Sequence, residues 1–313
     1  MKSDLDHLPE RQQRELDRVR SILLTEFEAA RTSGAGGTSD WRRRGRVLKI
    51  ILFGSYARND WVDEPENGYL SDFDLLVVVS HEKLTDIADY WWTAEDKILR
   101  DPDIGRTVNI IVHDLGEVNA ALGQGKYFWT DIVRDGVVLH EMPGHSLITP
   151  KPMTSADALA AATRDADRWL GAVDRFLRLA SISQEASAAD TEWRKNAAFN
   201  LHQAVEAAYA CFLLVHTFYF PRSHNIKFLR SLAEDVDKRL VTAWPREIRV
   251  DRRRFELLKR AYVEARYSDQ YDASPEDLEW LAKAARALRD VVAELCRARI
   301  EDLRLKAETD ARS

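Results

Sequence analysis

Two aspartates one residue apart, on a segment that otherwise reads as a buried strand, constrain this chain more than any other feature. The stretch is "ILFGSYARNDWVDEPENGYLSDFDLLVVV", residues 51 to 79, and the pair is Asp72 and Asp74. Successive side chains on a strand point to opposite faces, so the two carboxylates share one face and Phe73 and Leu75 take the other. Carboxylates that close repel each other, and taking both out of water costs several kcal/mol in effective terms unless a cation sits between them. A divalent ion removes the conflict, because Mg2+ is commonly held by one or two carboxylates plus the phosphates of a substrate. Gly54-Ser55 fits the same chemistry. It directly follows the apolar run "VLKIILF", where glycine lets backbone N–H groups approach a phosphate closely and the next helix presents its N-terminal end. Asp-x-Asp alone is common, and Gly-Ser commoner still. The order strand, Gly-Ser, helix start, strand with both carboxylates is far more specific.

With 313 residues the chain exceeds one comfortable core, which predicts two domains. The first half is α/β: strands over 47–53, 73–79, 107–113 and 137–140, an amphipathic helix over 9–31, and helices over 86–100, 115–122 and 127–133. "RTSGAGGTSDWRRRG", with four glycines, reads as a flexible surface loop. Prolines and a glycine in 141–155 mark a linker, and the remainder reads as an all-α bundle. Its helices are expected from a cap at Ser155, over 191–218, 226–236 and 252–267, and from Pro275 towards residue 306. The expected organisation is therefore a domain over 1–140, a linker over 141–155 and a bundle over 156–313. A net charge of −6 gives no general field for nucleic acid. Arg42 to Arg44 and Arg252 to Arg254 read as solvated faces. Cys211 and Cys296 read as small core residues, with neither disulfide nor metal-ligand spacing. The first ten residues lack the apolar segment of a signal peptide, and the longest apolar run, 207–215, is too short to span a bilayer. The expectation is a cytoplasmic protein with no membrane partner.

"LFGSYARND" and "SDFDLLV" resemble the Pol β-like nucleotidyltransferase superfamily, in particular its minimal nucleotidyltransferase branch, over about residues 47 to 140. That resemblance implies a small mixed sheet with helices. It implies that Gly54 and Ser55 bind a nucleoside triphosphate tail and that Asp72 and Asp74 hold Mg2+, with Mn2+ as an alternative ion. Arg58 is either a phosphate contact or a surface helix arginine. The implied reaction is in-line attack of a hydroxyl on the α-phosphorus of ATP or another NTP, releasing pyrophosphate. Relatives carry a third carboxylate on a neighbouring strand, where this chain has Asn109. Asparagine can accept a metal through its carbonyl oxygen but is no base. His113, on the same strand face, and Asp114 are the substitute candidates, and the competing reading is a regulatory module that binds nucleotide without turnover. Asn59 stands where the family tends to have glycine. The sixteen residues between Ser55 and Asp72 exceed the usual gap, and the insertion reads as a lid or partner contact.

The second half, over about 155 to 305, resembles HEPN domains, the helical partners of minimal nucleotidyltransferases. Gln203-Ala204-Val205-Glu206 and Ser223-His224-Asn225 carry the match. The resemblance implies a homodimer through the bundle. Many HEPN domains are metal-independent RNases built on Arg, four to six residues, then His, and none of the histidines in this half, His202, His216 and His224, follows that spacing. Arg266 is followed instead by Tyr271, a poor base at neutral pH, so RNase activity is disfavoured. Tyr267 or Tyr271 is a candidate hydroxyl to receive AMP. The aromatic and basic residues of "HTFYFPRSHNIKFLR" read as core and dimer packing in preference to base stacking. The resulting expectation is transfer of a nucleoside monophosphate, AMP from ATP, to a hydroxyl on protein, RNA or a small molecule, in a toxin–antitoxin or defence setting.

Overall fold

A computed structural model describes residues 1–33, 39–64, 69–221 and 223–312. The chain divides into two units, Met1–Pro152 and Met153–Ser313.

In the first unit four strands form a mixed sheet, in the spatial order Val108–Asp114, Phe73–Val79, Val47–Phe53 and Val137–Glu141. Strands β1 (Val47–Phe53) and β4 (Phe73–Val79) are buried along their whole length, as expected for near-continuous apolar runs covered on both faces. They pair antiparallel, with Phe53 opposite Asp74. Strand β5 (Val108–Asp114) runs parallel to β4, with Asp74 opposite Asn109, and β6 (Val137–Glu141) pairs antiparallel to β1 on the other side. A parallel neighbour needs a crossover. This one consists of a 3-10 turn at Glu82–Thr85, a wider turn at Ile87–Trp91 and a helix at Trp92–Arg100. The single helix expected over 86–100 is thus broken. The buried Trp91 indole N–H donates to Leu84 O at 2.8 Å and ties the wider turn back to the 3-10 turn.

Helix α1 (Glu10–Thr32) buries Leu16, Val19, Leu23 and Phe27, the stripe its spacing predicts. That stripe joins Phe73, Leu75, Val77 and Val79 in one core. A short helix, α2 (Asp40–Arg43), follows. Arg42 is no solvated-face residue: its guanidinium donates to Ala30 O at 3.0 Å and Ser33 O at 2.8 Å, serving the carbonyls that end α1. Three of the four glycines assigned to a flexible loop, at 34, 36 and 37, lie outside the described residues. So does the tip, 65–68, of the insertion, whose flanks β2 (Asp63–Glu64) and β3 (Tyr69–Leu70) pair antiparallel.

The second unit is all helical. We number the crossover helix Trp92–Arg100 α4, the one turn Ser55–Arg58 α3, Leu115–Gly123 α5 and Tyr127–Asp135 α6. The unit then comprises α7 (Ser155–Ala186), α8 (Trp193–Thr217), α9 (Ile226–Val236), α10 (Arg249–Tyr267) and α11 (Pro275–Asp310). The α7 cap is Thr154, one residue before the expected Ser155, accepting from Asp157 N at 3.1 Å. Ser274 caps α11, with Pro275 at its first position. Helix α8 packs against α7, α9, α10 and α11. By length and composition it is long and apolar enough to cross a membrane, with most of that stretch buried inside the unit. The run 207–215 understated it, because the alanines and scarcity of charge extend the apolar stretch upstream. Arg254 also departs from the solvated-face reading, donating from Nε to Asp277 at 3.0 Å in a buried pair.

Candidate active site

The strand register assembles the site. Phe53, the last residue of β1, lies opposite Asp74, and Asp74 lies opposite Asn109, so neighbouring strands about 5 Å apart place the Gly54-Ser55 turn, both aspartates and the asparagine at one end of the sheet's strands. Gly54 has φ 74° and ψ −153°, a region essentially reserved for glycine. That backbone lets β1 end abruptly and hands the chain to α3. Ser55 is buried, and α3 has only one turn, so any helix-end attraction for phosphate is shorter-ranged than the sequence reading assumed. The turn closes at Asn59 with φ 65°, the left-handed conformation that asparagine tolerates nearly as glycine does. The departure at position 59 is therefore conformationally neutral.

Asp72, Asp74 and Asn109 are 6%, 1% and 7% exposed. The Asn109 amide donates from Nδ2 to Asp74 Oδ1 at 3.0 Å and to Asp72 Oδ2 at 3.4 Å. One small group thus reaches both carboxylates, the position a cation shared between them would take. A half-turn of the carboxamide exchanges nitrogen for oxygen and converts Asn109 from a donor to the carboxylates into a third oxygen ligand. Among the described residues no group of three His, Cys, Asp or Glu side chains is placed to hold a metal ion. The set here is two carboxylates and one carboxamide, hard oxygen donors that suit Mg2+ or Mn2+.

The substitute bases fall away. His113 is four residues along β5 from Asn109, roughly 13 Å at strand spacing, and lies opposite Val78. Its Nδ1 is 2.9 Å from Glu117 Oε2 and its ring meets Trp129 edge-on at 4.9 Å. Asp114 caps α5, accepting from Glu117 N at 3.1 Å. Arg58 pairs with Asp60 at 3.2 Å and lies near two carboxyls of α6. Burial pushes the Asp131 carboxyl up and the Arg134 hydrogen bond holds that of Asp135 down, with Arg58 lowering both. It stands at the rim of the turn.

A second polar cluster lies in the helical unit. Glu206 receives His224 Nδ1 at 3.1 Å and Gln203 Nε2 at 3.3 Å, and His202 Nε2 approaches to 3.6 Å. Burial raises the Glu206 carboxyl, but the two histidines outweigh it and hold it below the usual range. The His224 ring stacks on Tyr262 at 4.2 Å, and the Arg266 guanidinium lies 4.4 Å from the same ring centre. Sequence reasoning found Gln203, Glu206, His224 and Arg266, but not Tyr262, whose ring each of the last two lies against. Tyr271 is no exposed acceptor. It is buried, its hydroxyl donates to Leu257 O at 3.2 Å, and burial pushes its phenol up. Tyr267 is 77% exposed.

Comparison with protein-family models matches residues 39–122 to a nucleotidyltransferase domain and residues 166–295 to a HEPN domain. The first match takes in the Gly-Ser turn, both aspartates and Asn109, and leaves α1, α6 and β6 outside. A Methanocaldococcus jannaschii protein named "putative protein adenylyltransferase" is 57% identical over 35 residues, 11% of this chain and 29% of that protein. The chain thus matches under a third of that curated relative's length.

Proposed function

We propose that this chain, which carries a nucleotidyltransferase domain followed by a HEPN domain, transfers a nucleoside monophosphate, AMP from ATP, to a hydroxyl acceptor. The observation that carries the reading is the convergence of Asp72, Asp74 and Asn109 on one point beside the Gly54-Ser55 turn. Asp72 and Asp74 would hold Mg2+, or Mn2+ in its place, with the Asn109 carbonyl as a third oxygen. Bound there, the ion supplies charge neutralisation on the triphosphate and orientation of its α-phosphorus. The Gly54 conformation opens the backbone N–H groups of the turn towards the triphosphate tail, Ser55 adds its hydroxyl, and Arg58 at the rim adds positive charge. The low exposure of Asp74 keeps water from screening these contacts.

Asn109 takes no proton, so the acceptor's own acidity matters more than where a third carboxylate serves as base. A tyrosine phenol, with pKa near 10, fits better than an aliphatic alcohol. A protein acceptor is also the class in the archaeal relative's name. The proposal includes a cytoplasmic homodimer joined through the helical unit, in a toxin–antitoxin or defence setting. The purified chain with Mg2+ and α-labelled ATP should release pyrophosphate and label an acceptor, and Asp72→Ala should abolish both. Nucleotide binding without release would instead mark the chain as a regulatory module, the alternative raised by an asparagine in place of a third carboxylate.

One observation favours a separate activity of the helical unit. Arg266 and His224 each lie against the Tyr262 ring, and a carboxylate-held imidazole and a guanidinium on one aromatic side chain are the group types that metal-independent RNA cleavage uses. RNA left intact by the chain in EDTA would remove that reading.

A further inference from the structure

We infer that Arg106, with Glu15 of α1, is a positioning residue that sets the Gly-Ser turn against the aspartate strand from beneath the sheet; this deepens, and rests on, the nucleotidyltransferase reading above. Arg106 lies three residues before Asn109, on the approach to β5, and its side chain is 1% exposed. The guanidinium lies 4.9 Å from the ring centre of Phe73, the residue between Asp72 and Asp74, and 5.1 Å from that of Tyr56, the residue after Ser55. Its Nη1 donates to the Tyr56 hydroxyl. Tyr56 and Phe73 themselves meet edge-on at 4.6 Å. One buried cation therefore touches both segments whose backbones carry the candidate ligands, and its own backbone leads into the third.

The charge is held from outside the region matched by the family model. Arg106 Nε donates to Glu15 Oε2 at 2.8 Å, and Arg11 Nε donates to the other Glu15 oxygen at 2.8 Å. Glu15 is buried on α1, which precedes residue 39, where the nucleotidyltransferase match begins. Asp63 of β2 lies 3.8 Å from Arg106 Nη2, so the insertion between the turn and the aspartates is tethered to the same group. A buried ion pair contributes little net stability compared with an apolar pair of equal volume. Its use here is geometric. A planar fork that lies against two rings while donating in two fixed directions is a property of arginine that lysine lacks. Helix α1 is then a working part of the catalytic unit, and Tyr56, Phe73 and Arg106 fix the spacing between phosphate cradle and metal ligands.

The test uses the full chain and three variants, Tyr56→Phe, Glu15→Gln and Arg106→Lys. Calorimetry of Mg2+-ATP binding is read beside urea unfolding and hydrogen exchange of the backbone N–H groups at 55–58 and 73–75. Tyr56→Phe is expected to weaken binding about 10-fold and, because it leaves a buried Arg106 N–H without its acceptor, to lower the unfolding midpoint as well, while the variant stays fully folded at the binding temperature. Combined with Ser55→Ala it should add little further loss, the non-additivity of residues acting through one another. Arg106→Lys should speed exchange at 55–58 while the rest of β1 and β4 stays protected. Wild-type affinity in Tyr56→Phe, or losses that multiply independently, would overturn the inference. If the wild-type chain binds no nucleotide, the site reading falls on its own. Exchange at 55–58 then still decides the positioning role: unchanged in Arg106→Lys it refutes that role, and locally faster it supports it.

Discussion

Replacing Asn109 by aspartate would restore the third carboxylate of related nucleotidyltransferases, and the structure sets its cost. The Asn109 amide sits 3.0 Å and 3.4 Å from the carboxylates of Asp74 and Asp72. A third negative charge at those distances would meet about 5 kcal/mol of repulsion from each neighbour at an effective dielectric constant of about 20. The site will not bear that. Protonating one of the three carboxyls at pH 7 instead costs about 4 kcal/mol, the gap from an ordinary aspartate pKa, and this caps the penalty. The native variant then carries a proton its unfolded chain lacks, so its stability falls as pH rises. Relative to wild type, Asn109→Asp should lose about 4 kcal/mol at pH 7 and only about 1.5 kcal/mol at pH 5. Millimolar Mg2+ should recover much of the loss, since a ligand that binds only the folded state stabilises it by mass action. Urea unfolding at both pH values, with Mg2+ and with EDTA, measures all of this. A variant as stable as wild type at pH 7 in EDTA, and indifferent to Mg2+, would refute the idea that these three side chains converge on one cation position.

Gly54→Ala forces a β-carbon into a conformation costing about 1–3 kcal/mol, and should lower the urea midpoint accordingly while abolishing Mg2+-ATP binding; retained binding would show that the turn is no cradle. His216 stacks on Phe212 at 4.3 Å, and burial, with help from Arg299, pushes its imidazole down to about 4. The unfolded chain binds this proton first, so the fold loses about 3 kcal/mol as pH falls from about 6.5 to 4. His216→Phe keeps the stack and should flatten that part of the stability–pH curve; an unchanged slope would place the acid sensitivity elsewhere.

Much of this was legible in the residues themselves. Continuous Val, Ile and Leu runs identified β1, β4 and β5, and the order of Gly-Ser and Asp-x-Asp singled out residues that the strand register brings to one end of the sheet. What escaped was set by pairing across long separations. Nothing local to Asn109 says that its amide bridges Asp72 and Asp74, because that depends on parallel register with β4. His113 looked eligible by face alternation, yet rise along the strand separates it from Asn109. Tyr271 looked available by sequence and is closed off by a carbonyl fourteen residues away. Arg106 carried only one signal, a lone arginine against a buried strand. Its partners Glu15 and Tyr56 are 91 and 50 residues distant.

The most direct test is a calorimetric titration of ATP into the full chain, in Mg2+ and in EDTA, for wild type and for Asp74→Asn, which keeps the shape and removes one charge. Saturable binding by wild type that requires Mg2+ and weakens at least about 10-fold in Asp74→Asn, the loss of one charged ligand, is the predicted result. Equal affinity in EDTA, or an Asp74→Asn chain that binds like wild type, would contradict a cation held between Asp72 and Asp74.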